Sequence, residues 1–105
     1  MNCIFCDIVN QNSPASFVLT NDKAIAVMDT SPINHGHVLV IPKEHHHNFS
    51  ELSSDTISSM FVLAKYISSG IKQTDIPCEG VNLFLAEGEV AGQEVMHAHL
   101  HIIPR

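Results

Sequence analysis

Three alternating histidines near the carboxyl end are the residues most suited to chemistry. His97, His99 and His101 occupy every second position of the segment HAHLHIIPR. An imidazole can act near neutral pH as a nucleophile, a proton carrier or a metal ligand. The run therefore allows two chemistries. One is a zinc centre of three histidines with an open position for water, and the other is attack of a neutral imidazole on an electrophile such as phosphorus.

The period of a β-strand predicts where these histidines point. Side chains on a strand alternate between its two faces, so the three imidazoles share one face of an extended segment. The opposite face is wholly apolar and consists of Met96, Ala98, Leu100 and Ile102. We therefore expect the apolar face to enter the core and the histidines to line a polar cleft. The alternative is that the histidines are only the solvated side of a half-buried strand.

The loop before the histidines favours phosphorus over a metal. Gly88 and Gly92 allow backbone amides to approach an anion closely, so a phosphate held there would lie beside the imidazoles. The alternative is that these glycines only form a turn.

A second reactive group stands at the amino end, where Cys3 and Cys6 form a C-x-x-C pair. The chain shows no basic region followed by an apolar run and no apolar stretch of about 20 residues, so we expect no secretory signal and no membrane span. In the cytoplasmic location that this predicts, cysteines stay reduced, which favours a metal ligand pair or a redox couple over a disulfide. The alternative is that both thiols simply pack as small apolar groups.

Composition limits the partners. The chain has 105 residues, with 5 Lys plus Arg against 11 Asp plus Glu, for a net charge of −6. Such a balance argues against a nucleic-acid surface and leaves a small phosphate compound possible. The length fits one domain, which we expect to span residues 1–105.

Hydrophobic patterning predicts an α+β fold, with an about five-stranded, mostly antiparallel sheet and one main helix packed on one face. Helical spacing of apolar residues predicts the helix over 54–72, capped by Ser53 or Ser54. Its expected buried stripe is Ile57, Met60, Phe61, Ala64, Ile67 and Ile71. Expected strands are 17–20 and 24–29, which form a hairpin, then 37–42, 80–86 and 94–104.

The segment GQEVMHAHLHIIPR resembles the motif of the histidine triad (HIT) family of nucleotide-binding hydrolases and transferases. HGHVLVIPKEH resembles the strand and turn that precede the motif in that family, and the likeness extends from CIFCDIV through AIAVMD to the last residue. The resemblance implies the histidine-triad fold, a nucleoside phosphoramidate hydrolase-like activity and a homodimer.

The resemblance also implies roles for individual residues. His99 would attack the α-phosphorus and carry a nucleotidyl intermediate, His101 would bind the phosphate and assist the leaving group, and His97 would orient His99. Asp29 would bind the ribose hydroxyls. The remaining substrate-binding residues would be Phe5, Ile8, Val27 and Met28 around the purine, and Gly92, Gln93 and Glu94 before the triad.

A structural zinc is implied in the same way. Some microbial relatives bind zinc through a cysteine pair of this kind and two histidines, which fall on His45 and His97 here. A closed four-ligand site would not activate water, so the chemistry would need no cofactor. From their places in the sequence, His46 and His47 are expected to face solvent, and His35 and His37 to shape the turn around Gly36.

Two positions depart from the phosphoramidase branch, which has asparagine at Ala86 and serine at Glu94. Both replaced groups contact phosphate or leaving group in that branch. Two alternatives therefore stay open: hydrolysis of dinucleoside polyphosphates, and a nucleotide- or zinc-binding module with little catalysis.

Overall fold

A computed structural model describes residues 3–105, so Met1 and Asn2 of the expected domain lie outside the described part. Its five strands form one antiparallel sheet in the order β1-β2-β3-β5-β4, which confirms the predicted α+β architecture. The strands are β1 (Phe17–Thr20), β2 (Ala24–Met28), β3 (Val38–Pro42), β4 (Val81–Phe84) and β5 (Leu100–Pro104), and the helices are α1 (Ile4–Val9) and α2 (Ser54–Ile71).

Helix α2 covers one face of the sheet, as the helical period predicts. Its cap is Ser53, whose hydroxyl accepts the Thr56 N–H at 3.1 Å. Met60 and Leu63 pack there with Leu100 of β5 in the main core. The prediction was wrong for Phe61, which is 43% exposed, whereas Leu63 is only 2% exposed. The buried stripe is therefore rotated slightly around the helix from the predicted one.

Helix α1 covers the opposite face and was not predicted. It has only six residues, too few for a helical period to show in the sequence. The Cys3 thiol caps it by accepting the Cys6 N–H at 3.4 Å, and Phe5 and Ile8 are buried against the sheet. This helix places both cysteines beside the strand that carries the histidines.

The last strand is shorter than predicted, because it begins at Leu100 rather than Glu94. In the register of β3 with β5, Val40 lies opposite Leu100, so Pro42 would face Ala98 if the ladder continued. Proline has no N–H to donate, and the Pro42 carbonyl instead lies 2.8 Å from His97 Nε2. The ladder stops, so His97 and His99 lie in irregular backbone before the strand. Among residues 3–105, no helix combines the length and apolar character needed to cross a bilayer.

Candidate active site and metal-binding group

A cleft of about 600 Å³ opens on the α1 face of the sheet. Of the residues predicted to act on substrate, those that line it are Phe5, Ile8, Val27, Met28, Asp29, Gly92, Glu94, His99 and His101. His97 and Gln93 lie outside the lining. On the opposite face, Ala98, Leu100 and Ile102 enter the core under α2, as predicted. Met96, the fourth residue predicted for that face, is only half-buried.

The tautomer of His99 follows from one contact. Its Nδ1 lies 2.8 Å from the backbone carbonyl of His97. A carbonyl can only accept, so Nδ1 carries the hydrogen and Nε2 keeps its lone pair. Burial lowers the pKa of His99, which keeps the ring neutral. Nε2 has no hydrogen-bond partner within the described part of the chain, so its lone pair is available for attack.

The tautomer of His101 follows from a chain of two contacts. The backbone N–H of Ile33 donates to His37 Nδ1 at 3.0 Å, so the hydrogen of a neutral His37 sits on Nε2. That Nε2 lies 2.9 Å from His101 Nδ1 and donates to it. His101 then carries its own hydrogen on Nε2, the atom without a partner among the described residues. Burial, with repulsion from His99 and His37, lowers the pKa of His101 to about 4.

His37 is the functional residue that sequence reasoning missed. It was expected only to shape a turn, but its side chain is 1% exposed and forms the link just described. The signal was available: His37 begins the buried strand segment HVLVIP, and the β3–β5 register carries it to the neighbourhood of His101. Burial also lowers the pKa of His37, which keeps it a neutral donor.

Asp29 lies at the end of β2, where it was predicted. Its Oδ1 accepts the Ser31 N–H at 2.8 Å, and its Oδ2 lies 3.4 Å from His37 Nε2. Asp29, His37 and His101 are close enough to be considered as a metal site. The Ile33 N–H argues against that use, because it occupies Nδ1 of His37 and so keeps the hydrogen on Nε2.

The apolar wall of the cleft is as expected, with additions. Phe5 packs on His99 in a T-shaped contact, with ring centroids 4.9 Å apart. Leu39, Ile33 and Phe84 also line the cleft and were not predicted. Leu39 is opposite His101 in the sheet register and therefore shares its face.

The glycine loop does not form the predicted anion cradle. The amides of its two glycines are used within the loop: Gly88 N–H donates to Gln93 Oε1 at 2.8 Å, and Gly92 N–H donates to the Glu89 carbonyl at 2.9 Å. The Gln93 amide group donates to the carbonyls of His47 and Val95 at 2.7 and 3.0 Å. The structure thus gives Gln93 a loop-fixing position away from the cleft.

The two positions that depart from the phosphoramidase branch differ in location. Glu94 is exposed and lines the cleft, whereas Ala86 is buried and lies outside its lining. The exchange at Glu94 is therefore the one that changes the charge facing a ligand.

The structure brings the four predicted metal ligands together behind the cleft. Cys3, Cys6, His45 and His97 offer Sγ and Nδ1 atoms that all lie within 4.8 Å of one another. His97 Nδ1 is 3.4 Å from Cys3 Sγ and 3.0 Å from His45 Nδ1, and Cys6 Sγ is 3.3 Å from His45 Nδ1. Tetrahedral ligands at about 2.0–2.3 Å from one ion stand at such separations. The group could therefore hold a metal.

The orientation of His97 fits metal binding. Its Nε2 donates to the Pro42 carbonyl at 2.8 Å, so Nδ1 presents a lone pair to the cysteines. Burial, reinforced by Cys3, raises the pKa of the Cys6 thiol, so a bound cation would be needed to favour its thiolate. His45 Nε2, by contrast, is buried with no partner among the described residues. The alternative zinc centre of three triad histidines is not formed, because His97 belongs to this group.

Comparisons with known proteins agree with the geometry. The HIT domain model matches residues 10–105. The adenosine 5'-monophosphoramidase hnt1 of Schizosaccharomyces pombe is 36% identical over 105 residues, covering 100% of this chain and 75% of the relative. The adenylylsulfatase HINT3 of Arabidopsis thaliana is 35% identical over 104 residues, covering 99% of this chain and 52% of the relative.

Solved structures give the same fold. A zinc-bound histidine triad family protein from Mycobacterium smegmatis superposes with a TM-score of 0.94 at 31% identity, covering 100% of this chain and 76% of that one.

Proposed function

Because this chain belongs to the HIT family of nucleotide hydrolases, we propose that it hydrolyses purine nucleoside phosphoramidates or related nucleotide conjugates at the α-phosphorus. The observation that carries the proposal is the 2.8 Å contact of His99 Nδ1 with the His97 carbonyl. It leaves a neutral imidazole with a free Nε2 in a cleft large enough for a nucleotide. That is the state in which a histidine attacks phosphorus.

In the first step His99 Nε2 forms a bond to phosphorus as the bond from phosphorus to the leaving nitrogen breaks. The ring becomes positively charged, and the His97 carbonyl stabilises the charge through Nδ1–H. The leaving nitrogen takes one proton from solvent, while the neutral His101 ring donates a hydrogen bond from Nε2–H to the phosphoryl group and keeps its own proton. His37 keeps that donor on the correct nitrogen throughout.

In the second step water attacks the phosphorus and the bond to His99 breaks. The nucleoside monophosphate departs, and one proton of the water returns to solvent, which balances the proton used earlier. Asp29 would bind the ribose, and the wall formed by Phe5, Ile8, Val27 and Met28 would hold the base. We expect a preference for purines, because their larger ring buries more apolar area against this wall.

The metal group fits zinc, which prefers a tetrahedral set of thiolate and imidazole ligands. Bound by Cys3, Cys6, His45 and His97, zinc would supply structural cross-linking between α1 and the segment before β5. All four positions are then filled by protein, so the chemistry of the cleft stays with the imidazoles.

A homodimer is proposed on separate grounds. Leu83 and Phe84 are each 47% exposed on β4, an edge strand whose free side presents unpaired backbone groups. Pairing of β4 with a second copy would satisfy these backbone groups and cover part of the two exposed side chains. Light scattering at micromolar concentration should give twice the mass of one chain, and a monomer mass would reject the proposal.

The function is tested by mixing the protein with an adenosine phosphoramidate and quenching early. We expect free amine, adenosine monophosphate and a mass increase of one adenylyl group on the peptide containing His99. Adenylyl sulfate should be assayed in parallel, since one relative bears that activity in its name. Binding of nucleotide with no turnover of either compound would instead support a binding module.

A further inference from the structure

The charges of the cleft are unusual for a site that binds a phosphate. None of its lining residues in the described part of the chain is Lys or Arg, and two of them, Asp29 and Glu94, are carboxylates. Asp29 already accepts the Ser31 N–H and faces His37. Glu94 has neither a hydrogen bond nor an ion pair with any residue of 3–105 through its side chain. Its charge is therefore free to act on whatever occupies the cleft.

The position of Glu94 is fixed by its neighbour. Gln93 is 4% exposed, and its side chain is tied to Gly88, His47 and Val95 by bonds of 2.7–3.0 Å. The backbone is thus anchored one residue before Glu94. Glu94 lines the same cleft as His99 and His101, and its negative charge is close enough to act on His99.

An unpaired carboxylate on an anchored backbone beside the cleft sorts substrates by the charge of the group that leaves. It repels a polyphosphate or sulfate leaving group, because those carry negative charge beyond that of the reacting phosphoryl group. It attracts a leaving group with a positive charge, and no Lys or Arg among the described lining residues opposes this attraction. A neutral leaving group gains nothing from it.

We infer that Glu94 is a specificity-determining residue that selects nucleotide conjugates whose leaving group bears a cationic amine beyond the reacting nitrogen. This inference rests on the proposed function and narrows its substrate class. The bonds are those already given: His99 Nε2–P forms, the P–N bond breaks and the leaving nitrogen takes one proton, while the remote ammonium lies near Glu94 without reacting.

The experiment uses three adenosine phosphoramidates of matched length, made with putrescine, pentylamine and δ-aminovalerate. Their leaving groups carry a positive, zero and negative remote charge on the same four-carbon spacer. For the native chain we expect kcat/KM to rise about tenfold from neutral to cationic and to fall about tenfold from neutral to anionic, the size of one charge pair in a partly solvated cleft. Glu94→Gln should bring the three values to within about twofold of one another.

A matched control is Glu89→Gln, which removes an exposed carboxylate of the same loop that does not line the cleft. It should keep the native ranking. High salt should compress the ranking of the native chain and leave Glu94→Gln unchanged. No divalent metal ion is added to these assays and no chelator is used, so that the metal group stays as it is, and a repeat with Mg²⁺ tests whether a metal ion supplies the cation that Glu94 meets.

The outcomes separate the two proposals. Turnover of all three compounds with the same ranking in Glu94→Gln overturns the role of Glu94 and leaves the proposed function intact. A preference for the anionic compound that needs both Mg²⁺ and Glu94 also overturns it. No turnover of any compound by the native chain removes the proposed function, and the inference falls with it.

Discussion

Two groups of histidines lie close together in this molecule and are built in opposite ways. His97 uses both ring nitrogens within the protein, one on the Pro42 carbonyl and one toward the cysteines. His99 and His101 each use only Nδ1, on the His97 carbonyl and on His37. Their Nε2 atoms stay free in the cleft. The chemical role of each imidazole thus depends on how many of its nitrogens the fold occupies.

The contrast explains why residues two positions apart need not share a function. His97 joins the metal group through its side chain and serves the cleft through its backbone carbonyl. The Phe5 ring forms T-shaped contacts with both rings, with its centroid 5.9 Å from that of His97 and 4.9 Å from that of His99. The metal group and the cleft are therefore adjacent, but only the second has reactive atoms exposed to a ligand.

The largest expected effect is on the nucleophile. His99→Ala should lower kcat by at least about a thousandfold, because no other imidazole among residues 3–105 presents a free lone pair with the same support. His97→Ala keeps its backbone carbonyl, so it should retain more activity than His99→Ala while losing metal. Single-turnover assays and metal analysis of both variants measure this. If the two variants lost activity equally and contained equal amounts of metal, the two groups of histidines would not differ in role.

Removal of the metal should act mainly on stability. Cys6→Ser, or a chelator, should lower the free energy of unfolding by about 3 kcal/mol, which corresponds to a fall in Tm of roughly 10 °C or more. Cys78→Ser is the control, since that thiol lies outside the group and donates to the Gly80 carbonyl. Thermal unfolding and zinc content are measured together. An unchanged Tm with complete loss of zinc would show that the group does not cross-link the fold.

A smaller effect is expected at His37, which acts through His101. His37→Ala removes the donor that holds the His101 hydrogen on Nε2, so kcat should fall about 10- to 100-fold with little change in KM. His35→Ala is the control, because that residue is exposed two positions away. The fraction of each His101 tautomer, read by nitrogen NMR, should shift in the first variant alone. A lower kcat without this shift would assign His37 another role.

The sequence was sufficient for the sheet and the main helix, and with the resemblance it predicted the four residues that the structure brings together as a group able to hold a metal. Strand periodicity and the helical stripe are local properties, and they placed Leu100 and Ile102 in the core correctly. The resemblance supplied His45, which lies 52 residues from its neighbour His97. It also supplied the cleft position of Asp29, which composition alone assigns to a turn.

What the sequence could not give depends on long-range hydrogen bonds. The use of both His97 nitrogens, the link from Ile33 through His37 to His101, and the loop fixed by Gln93 all join segments distant in sequence. The early stop of β5 also depends on a partner strand that ends in proline. Such contacts have no local period, so pattern analysis assigned His37 to a turn and the glycine amides to an anion.

The smallest expected effect is on the pH dependence of the free energy of unfolding. It tests a histidine of the cleft rather than one of the metal group. The pKa of His101 is about 4 in the folded chain, against an ordinary value of 6.5. Between these values the unfolded chain binds a proton that the folded chain does not, so stability falls as the pH falls through this window. Because the ring is partly exposed, the loss from pH 6.5 to about 5 should be only roughly 1 kcal/mol. Urea unfolding of the native chain and of His101→Gln measures this loss. Any release of metal at low pH affects both proteins and so cancels in the comparison. The variant should show a shallower slope, and identical slopes would mean that His101 titrates normally in the folded chain.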